Sequence, residues 1–445
     1  MSLTGDRINR IHTLSLPIMG AMVSQNILNL VDTAMVGRLP DAAPALAAVN
    51  LGGFANFWAI SLILGLSVGV QAMASRRVGE GRMDVAAVPL NGGVLLALVT
   101  AIPLSLILFF ITPFVYHFLE NDPAVIEAGV PYLQARLLAG AAMAVNYCFR
   151  GFWNGTNRPH VYMLTLFSMH ALNIFLNYVL IFGHLGAPAL GTAGAGIASA
   201  ISVVGGSLMY TGIALRTVRS AGFLTIRPDA TILKQLIRTS TPSGIQQFFF
   251  AAGLLTLSVI IGVVGTEELA GASVMINIML TAYLPGLGLG LGAATLVGQA
   301  LGRGHPEDAK EWGYDTMKVG MIWLGALGLP MILIPDVLIE LLAPGAPEVL
   351  ELARLPLQIM GAGMFLEGIG LVLMNALNGA GDSRSVMIVS GGLQWLLFLP
   401  LAAVVGPWLG YGLLGIWIVN GISRALMAFT FLFIWKRGLW SHVQV

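Results

Sequence analysis

The chain has 445 residues, of which 57% are hydrophobic and only 10% charged, and its formal net charge is +1. A soluble domain carries about 25% charged residues, so this composition excludes a soluble globular protein, and the near-zero charge gives no footing for nucleic acid. A single cysteine, Cys148, excludes an internal disulfide and any cysteine-rich metal site.

A helix needs about 20 largely apolar residues to cross the hydrocarbon core. Read in chain order, twelve such spans fall at about 12–37, 45–75, 86–117, 128–153, 160–183, 189–216, 240–265, 268–299, 312–340, 353–378, 384–406 and 410–435. The segment before the first span lacks a secretory signal, so that span itself is expected to direct insertion. The longest polar connection, SAGFLTIRPDATILKQLIRTST, follows the sixth span. It divides the chain into an N-terminal six-helix bundle (1–218), a linker (219–239) and a C-terminal six-helix bundle (240–445). The expected fold is all-α and integral to the membrane, with twelve helices in two bundles.

The two halves repeat one another. Gly65, Gly69, Gly79 and Gly81 map onto Gly288, Gly292, Gly302 and Gly304 with an offset of 223, Asn154-Gly155 onto Asn378-Gly379 with 224, and Gly194 and Ser202 onto Gly415 and Ser423 with 221. Such internal duplication in an apolar chain is a mark of transporters. The glycine turns at 79–81 and 302–304 end one helix and lead into the next, with Asp84 and Glu307 opening it, rather than cradling a phosphate. Eighteen of the 22 Lys and Arg residues fall on one side of the membrane, three (Arg38, Arg136, Arg354) on the other, and Arg424 within the last span. By the positive-inside rule both termini face the cytoplasm, and with six spans per half the two halves run parallel, related by a pseudo-twofold axis along the membrane normal.

Nearly all of the 21 acidic residues lie in loops or at the ends of the eighth and ninth spans; Asp32 in the first span and Glu367 in the tenth are the two singled out within spans. Burying their charge costs at least about 2.5–3.5 kcal/mol, so each is a candidate for carrying a proton or binding a cation. Gln25, Asn29 and Asp32 share one helix face by their i, i+4, i+7 spacing, and His170, Asn173 and Asn177 share one in the fifth span by i, i+3, i+7. With Ser199 of the sixth span they offer a carboxylate, amides, a hydroxyl and an imidazole, ligands that suit H⁺ or Na⁺. Amides in spans also simply join helices. Glu367 has no acidic counterpart, since the 224 offset leads to Met143. It can protonate, bind a cation or attract a cationic substrate, with Gln246, Gln247 and Gln394 as companions. Phe57, Trp58, Phe248, Phe249, Phe250, Tyr283 and Trp395 can supply aromatic walls for a lipophilic cation. No cluster has metal spacing and no nucleophile has a base at hand, so an enzyme is not expected.

The segment Pro17–Leu39 ending in NLVDTAMVGRL, the glycine-rich second and eighth spans, NIFLNYVLIFG followed by GTAGAGIASAIS, and NGAGDSR after the tenth span occur in one order along the chain. Together they resemble the multidrug and toxic compound extrusion (MATE) family. The resemblance implies a V-shaped pair of six-helix bundles in a bacterial inner membrane. It implies export of cationic amphipathic drugs in exchange for H⁺ or Na⁺, no further cofactor, and a monomer as a sufficient unit. It assigns cation coupling to Asp32, and it matches Asn173 to the Asn of a fifth-helix N-x-x-x-D pattern. Asn177 stands where that pattern has Asp, Ser199 near a family Thr, and Glu367 at the tenth-helix acid of the NorM-type branch. Phe250 stands where that branch has a seventh-helix Glu. A Na⁺ site at Asp32, Asn173 and Asn177 therefore lacks one charge, which favours protons. A lipid or lipid-linked-precursor flippase is the alternative, and it requires cationic residues within the spans.

Overall fold

A computed structural model describes residues 4–443, which are almost entirely helical. Among them, eleven stretches are long and apolar enough to cross a membrane. In order, these begin with α1 (Gly5–Val36), α2 (Ala42–Gly79) and α3 (Val88–Leu119). The expected fourth span is two 16-residue helices end to end, α4 (Pro123–Leu138) and α5 (Gly140–Gly155), which together make the twelfth. The joint falls at Ala139, whose backbone leaves helical geometry. Next come α6 (Pro159–Phe182), α7 (Gly191–Thr217), α8 (Ala230–Val264), α9 (Thr266–Gly302) and α10 (Pro306–Leu333), then the short α11 (Pro335–Leu342) and α12 (Pro347–Ala380). The eleventh span is a composite of α13 (Ser383–Gly392), a π turn at Leu393–Phe398, α14 (Leu399–Ala403) and a second π turn at Val404–Trp408. Pro400 and Pro407 lack the N–H that an α-helical ladder needs, so the ladder shifts register here. α15 (Gly412–Arg437) closes the series.

Two compact units form: Gly20–Gly244, and the N-terminal stretch through Met19 together with the chain from Ile245 onward. They part within α1 and α8 rather than in the expected connection 219–239. Half of that connection is in fact helix, since α8 starts at Ala230 with Asp229 accepting a hydrogen bond from the Ile232 N–H at 2.8 Å. The remainder is held to α3: the Asn91 amide donates to the Gly222 and Ile226 carbonyls, both at 2.8 Å, and accepts from the Leu224 N–H at 3.1 Å.

The repeated glycines explain the division. A Cβ on Gly65 of α2 would overlap the Ser240 carbonyl and Gly244 backbone of α8, and one on Gly69 would overlap the Ser240 hydroxyl. In the other unit the counterparts Gly288 and Gly292 of α9 meet Met19 and Ser15 of α1 in the same way. The first part of α8 thus lies on α2, and the first part of α1 lies on α9. Lipid tails are as apolar as leucine, so helices associate through such close backbone contacts. Gly151 and Gly155 of α5 likewise meet α2 at Ser67 and Gln71, and Gly379 of α12 meets α9 at Ala294. Polar contacts fix the start of α1. Arg7 pairs with Asp315 at 2.6 Å and Asp308 at 3.0 Å, and its guanidinium stacks 3.8 Å over the Trp312 ring.

One substitution made at two glycines of α2 separates close approach from helix propensity. Gly53 has no atom near the position of an added Cβ, whereas Gly65 has α8 backbone there. Thermal denaturation in detergent is expected to show Gly65→Ala destabilised by about 1–3 kcal/mol and Gly53→Ala neutral or slightly more stable.

Candidate functional site

The first polar centre lies in the unit Gly20–Gly244, where α1, α6 and α7 converge. α6 is 24 residues of largely apolar helix whose buried face carries His170, Asn173 and Asn177, one turn apart. Asn177, with no exposed surface, donates its amide to Asp32 Oδ1 at 2.7 Å. Asn173 sits between Asn177 and Ser199. With its amide oxygen towards Ser199, it accepts from both the hydroxyl and the backbone N–H of Ser199 at 3.2 Å and donates to Asp32 Oδ1 at 3.0 Å. In the opposite amide orientation it accepts from Asn177 at 3.0 Å and donates to Ser199 at 3.2 Å. The Asn177 amide oxygen is buried and has no hydrogen-bond partner among the described residues. One to two turns earlier on α1, Gln25 lies 3.3 Å from His170 Nε2 and donates to Asn29 Oδ1 at 3.3 Å. The structure therefore joins Asp32, Asn173, Asn177 and Ser199 in one network, and Gln25, Asn29 and His170 in a second beside it.

Sequence reading did not find Arg136. The sequence places it on the sparsely charged side of the membrane, inside the expected span 128–153; in the structure it lies in the last turn of α4, where Nη1 donates to the Tyr132 hydroxyl at 2.6 Å. Its charge acts on Asp32. The available signal was the pair Tyr132 and Arg136 at i, i+4, which places both on one face of a helix.

The second polar centre lies in the other unit. Glu367 of α12 is not a lone acid: Arg424 Nε of α15 lies 3.4 Å from its Oε1, and the two side chains are 16% and 24% exposed. The Arg424 guanidinium also sits 5.9 Å from the Tyr283 ring centroid. The pocket around the pair is lined by Met279, Met360, Met364, Trp417 and Asn420. The expected glutamine companions are not among its lining residues. Gln246 donates towards Met374 Sδ at 3.2 Å, Gln394 faces the Phe250 carbonyl at 3.5 Å, and Gln247 lies elsewhere on α8. Trp395 is likewise engaged, donating to the Phe249 carbonyl at 3.2 Å. Two spans far apart in sequence supply the pair, so no local pattern could reveal it.

The MatE family pattern matches residues 17–179 and again residues 242–404, in the register of the duplication. The chain belongs to the MatE family. Its members are membrane transporters rather than enzymes. This MatE chain is 26% identical to a probable multidrug resistance protein NorM of Thermotoga maritima, over 91% of this chain and 87% of the relative. It is 27% identical to the protein so named in Pasteurella multocida, over 96% and 93%. Its fold matches the outward-facing structure of a multidrug resistance MATE family transporter of the MOP superfamily, with a TM-score of 0.88 at 21% identity over 99% and 98% of the two chains. A MOP superfamily transporter from Pyrococcus furiosus matches with a TM-score of 0.87 at 21% identity, over 98% and 96%. The chain is thus an all-α, multi-pass membrane protein of MATE architecture.

The ion pair gives a test of how the second centre is built. Removing one partner of a fully buried pair strands the other charge, at a cost of about 3–5 kcal/mol, and partial exposure of this pair reduces that cost. Glu367→Gln should therefore lower stability in detergent, by less than about 3 kcal/mol, while Glu367→Leu combined with Arg424→Met recovers most of the loss. Equal losses in the single and double variants would show that the pair is not what holds α12 and α15.

Proposed function

We propose that this MatE protein is a secondary active antiporter that exports cationic amphipathic drugs in exchange for protons taken up by Asp32. It is expected in a bacterial inner membrane with both termini in the cytoplasm. The observation that carries the reading is the way each acid is balanced. Glu367 faces a guanidinium, so protonating it leaves Arg424 unpaired. Asp32 is met at hydrogen-bond distance by neutral amides, which are free to reorient when the carboxyl takes up a proton. The names of the similar proteins support drug export, and the Met, Trp and Tyr side chains around Glu367 and Arg424 offer an apolar, polarisable lining for a lipophilic substrate.

In this mechanism Asp32 is ionised when the protein opens outward, and the Asn177 and Asn173 amides hold it. Protonation removes the charge that aligns those amides, the first helix repacks, and the drug leaves. A ligand shifts such an equilibrium only by the difference in its affinity for the two states, so proton and drug oppose one another. A second reading rests on the unpartnered Asn177 oxygen. With Asp32 and Asn173 it presents oxygen ligands to Na⁺.

Efflux of a cationic dye from proteoliposomes under an imposed pH gradient or an imposed Na⁺ gradient separates these readings. The proton reading expects transport driven by the pH gradient and abolished by Asp32→Asn. Transport driven by Na⁺ alone would replace it with the second reading, and full activity of Asp32→Asn would overturn both. Lipid movement without dye efflux would favour the flippase alternative.

A further inference from the structure

The two repeats place different chemistry at one packing position. By the offsets of 224 and 221, Tyr147, Arg150, Tyr162 and Tyr210 correspond to Leu371, Met374, Val386 and Phe431. Leu371, Val386 and Phe431 are buried in apolar core, with Met374 packed against it. Apolar side chains, with Gln246 donating to Met374 Sδ, therefore fill the equivalent position of the second repeat, and no guanidinium is needed there.

In the unit Gly20–Gly244 the position is built around a guanidinium. Arg150, half-buried on α5, donates Nε to the Ser67 hydroxyl of α2 at 3.1 Å. Its guanidinium carbon lies 4.8 Å from the Tyr147 ring centroid, and its charge acts on Tyr162 of α6. Tyr210 of α7 closes the group, its ring stacked on Phe149 at 5.2 Å. Arg424 has Glu367 and Arg136 has the field of Asp32; for Arg150 no ion pair is seen among the described residues. A guanidinium carries five donors, so one serine hydroxyl and an aromatic ring leave both charge and donors available. Arg150 lies five residues before the end of α5, about 7.5 Å along the axis. By the positive-inside rule that end of α5 is expected towards the cytoplasmic leaflet, whose anionic headgroups attract basic residues.

We propose that Arg150, with Ser67 and Tyr147, forms a binding site for a phosphate-bearing anion, supplied either by an anionic lipid headgroup or by free phosphate. The planar fork of the guanidinium matches two phosphate oxygens, and the phenol and serine hydroxyls can turn to donate to a third.

Thermal denaturation and native mass spectrometry of the purified full-length protein in detergent test this, with dioleoylphosphatidylglycerol, dioleoylglycerol and inorganic phosphate as probes. Arg150→Met installs the residue of the second repeat, and Arg150→Lys keeps the charge without the fork. Phosphatidylglycerol is expected to bind and stabilise the wild type, with affinity lowered about tenfold or more in Arg150→Met and less in Arg150→Lys. Displacement of the lipid by phosphate would assign a soluble anion as source, and retention in excess phosphate would assign the lipid. Equal protection by dioleoylglycerol, or an unchanged response in Arg150→Met, would overturn the proposal. Should Arg150→Met not fold, Arg150→Lys carries the test, and phosphatidylglycerol affinity unchanged in it would overturn the proposal.

Discussion

A helix in hydrocarbon gains nothing by hiding leucine from lipid, and this constraint shapes the whole chain. Association must come from backbones that approach closely and from polar groups that satisfy one another. Gly65 and Gly288 show the first device at equivalent positions of the repeat, each admitting the backbone of another helix where any Cβ would intrude. The abundance of glycine in the sequence is therefore a packing requirement.

The same solvent makes every buried charge a problem, and the protein solves it three ways. Glu367 and Arg424 neutralise each other. Arg150 rests among hydroxyls and aromatic faces. Asp32 is held by amides that carry dipoles but no charge, with Arg136 acting on it without a direct bond. Only the last arrangement lets a proton come and go without stranding an opposite charge in direct contact. That difference is why the proposed coupling role is given to Asp32, and why Glu367, an acid with no counterpart in the first half, is better suited to a fixed role in shaping its pocket.

Much of this was legible in the sequence. Spans, duplication and the polar face of α6 follow from composition and helical spacing, which act locally; Asp32 with Gln25 and Asn29, and Asn173 with Asn177 and His170, each share one helix face, and the family resemblance joined these two faces and Ser199. What escaped was tertiary or depended on backbone detail. Pairing Glu367 with Arg424 requires the register of α12 against α15. The joint at Ala139 and the π turns around Pro400 and Pro407 interrupt segments whose apolar composition is continuous. The polar-looking stretch after Asp229 is helical because Asp229 caps it and α2 receives it, neither of which a hydropathy profile registers.

The central claim is that drug and proton exclude one another through Asp32. The most direct measurement is the number of protons released when a cationic dye binds the purified protein, obtained from binding calorimetry in buffers of different ionisation enthalpy. The account predicts proton release by the wild type near the pH at which Asp32 is partly protonated, and none by Asp32→Asn with dye binding retained. Dye binding without proton release at any pH, or the same release in the variant, would contradict it.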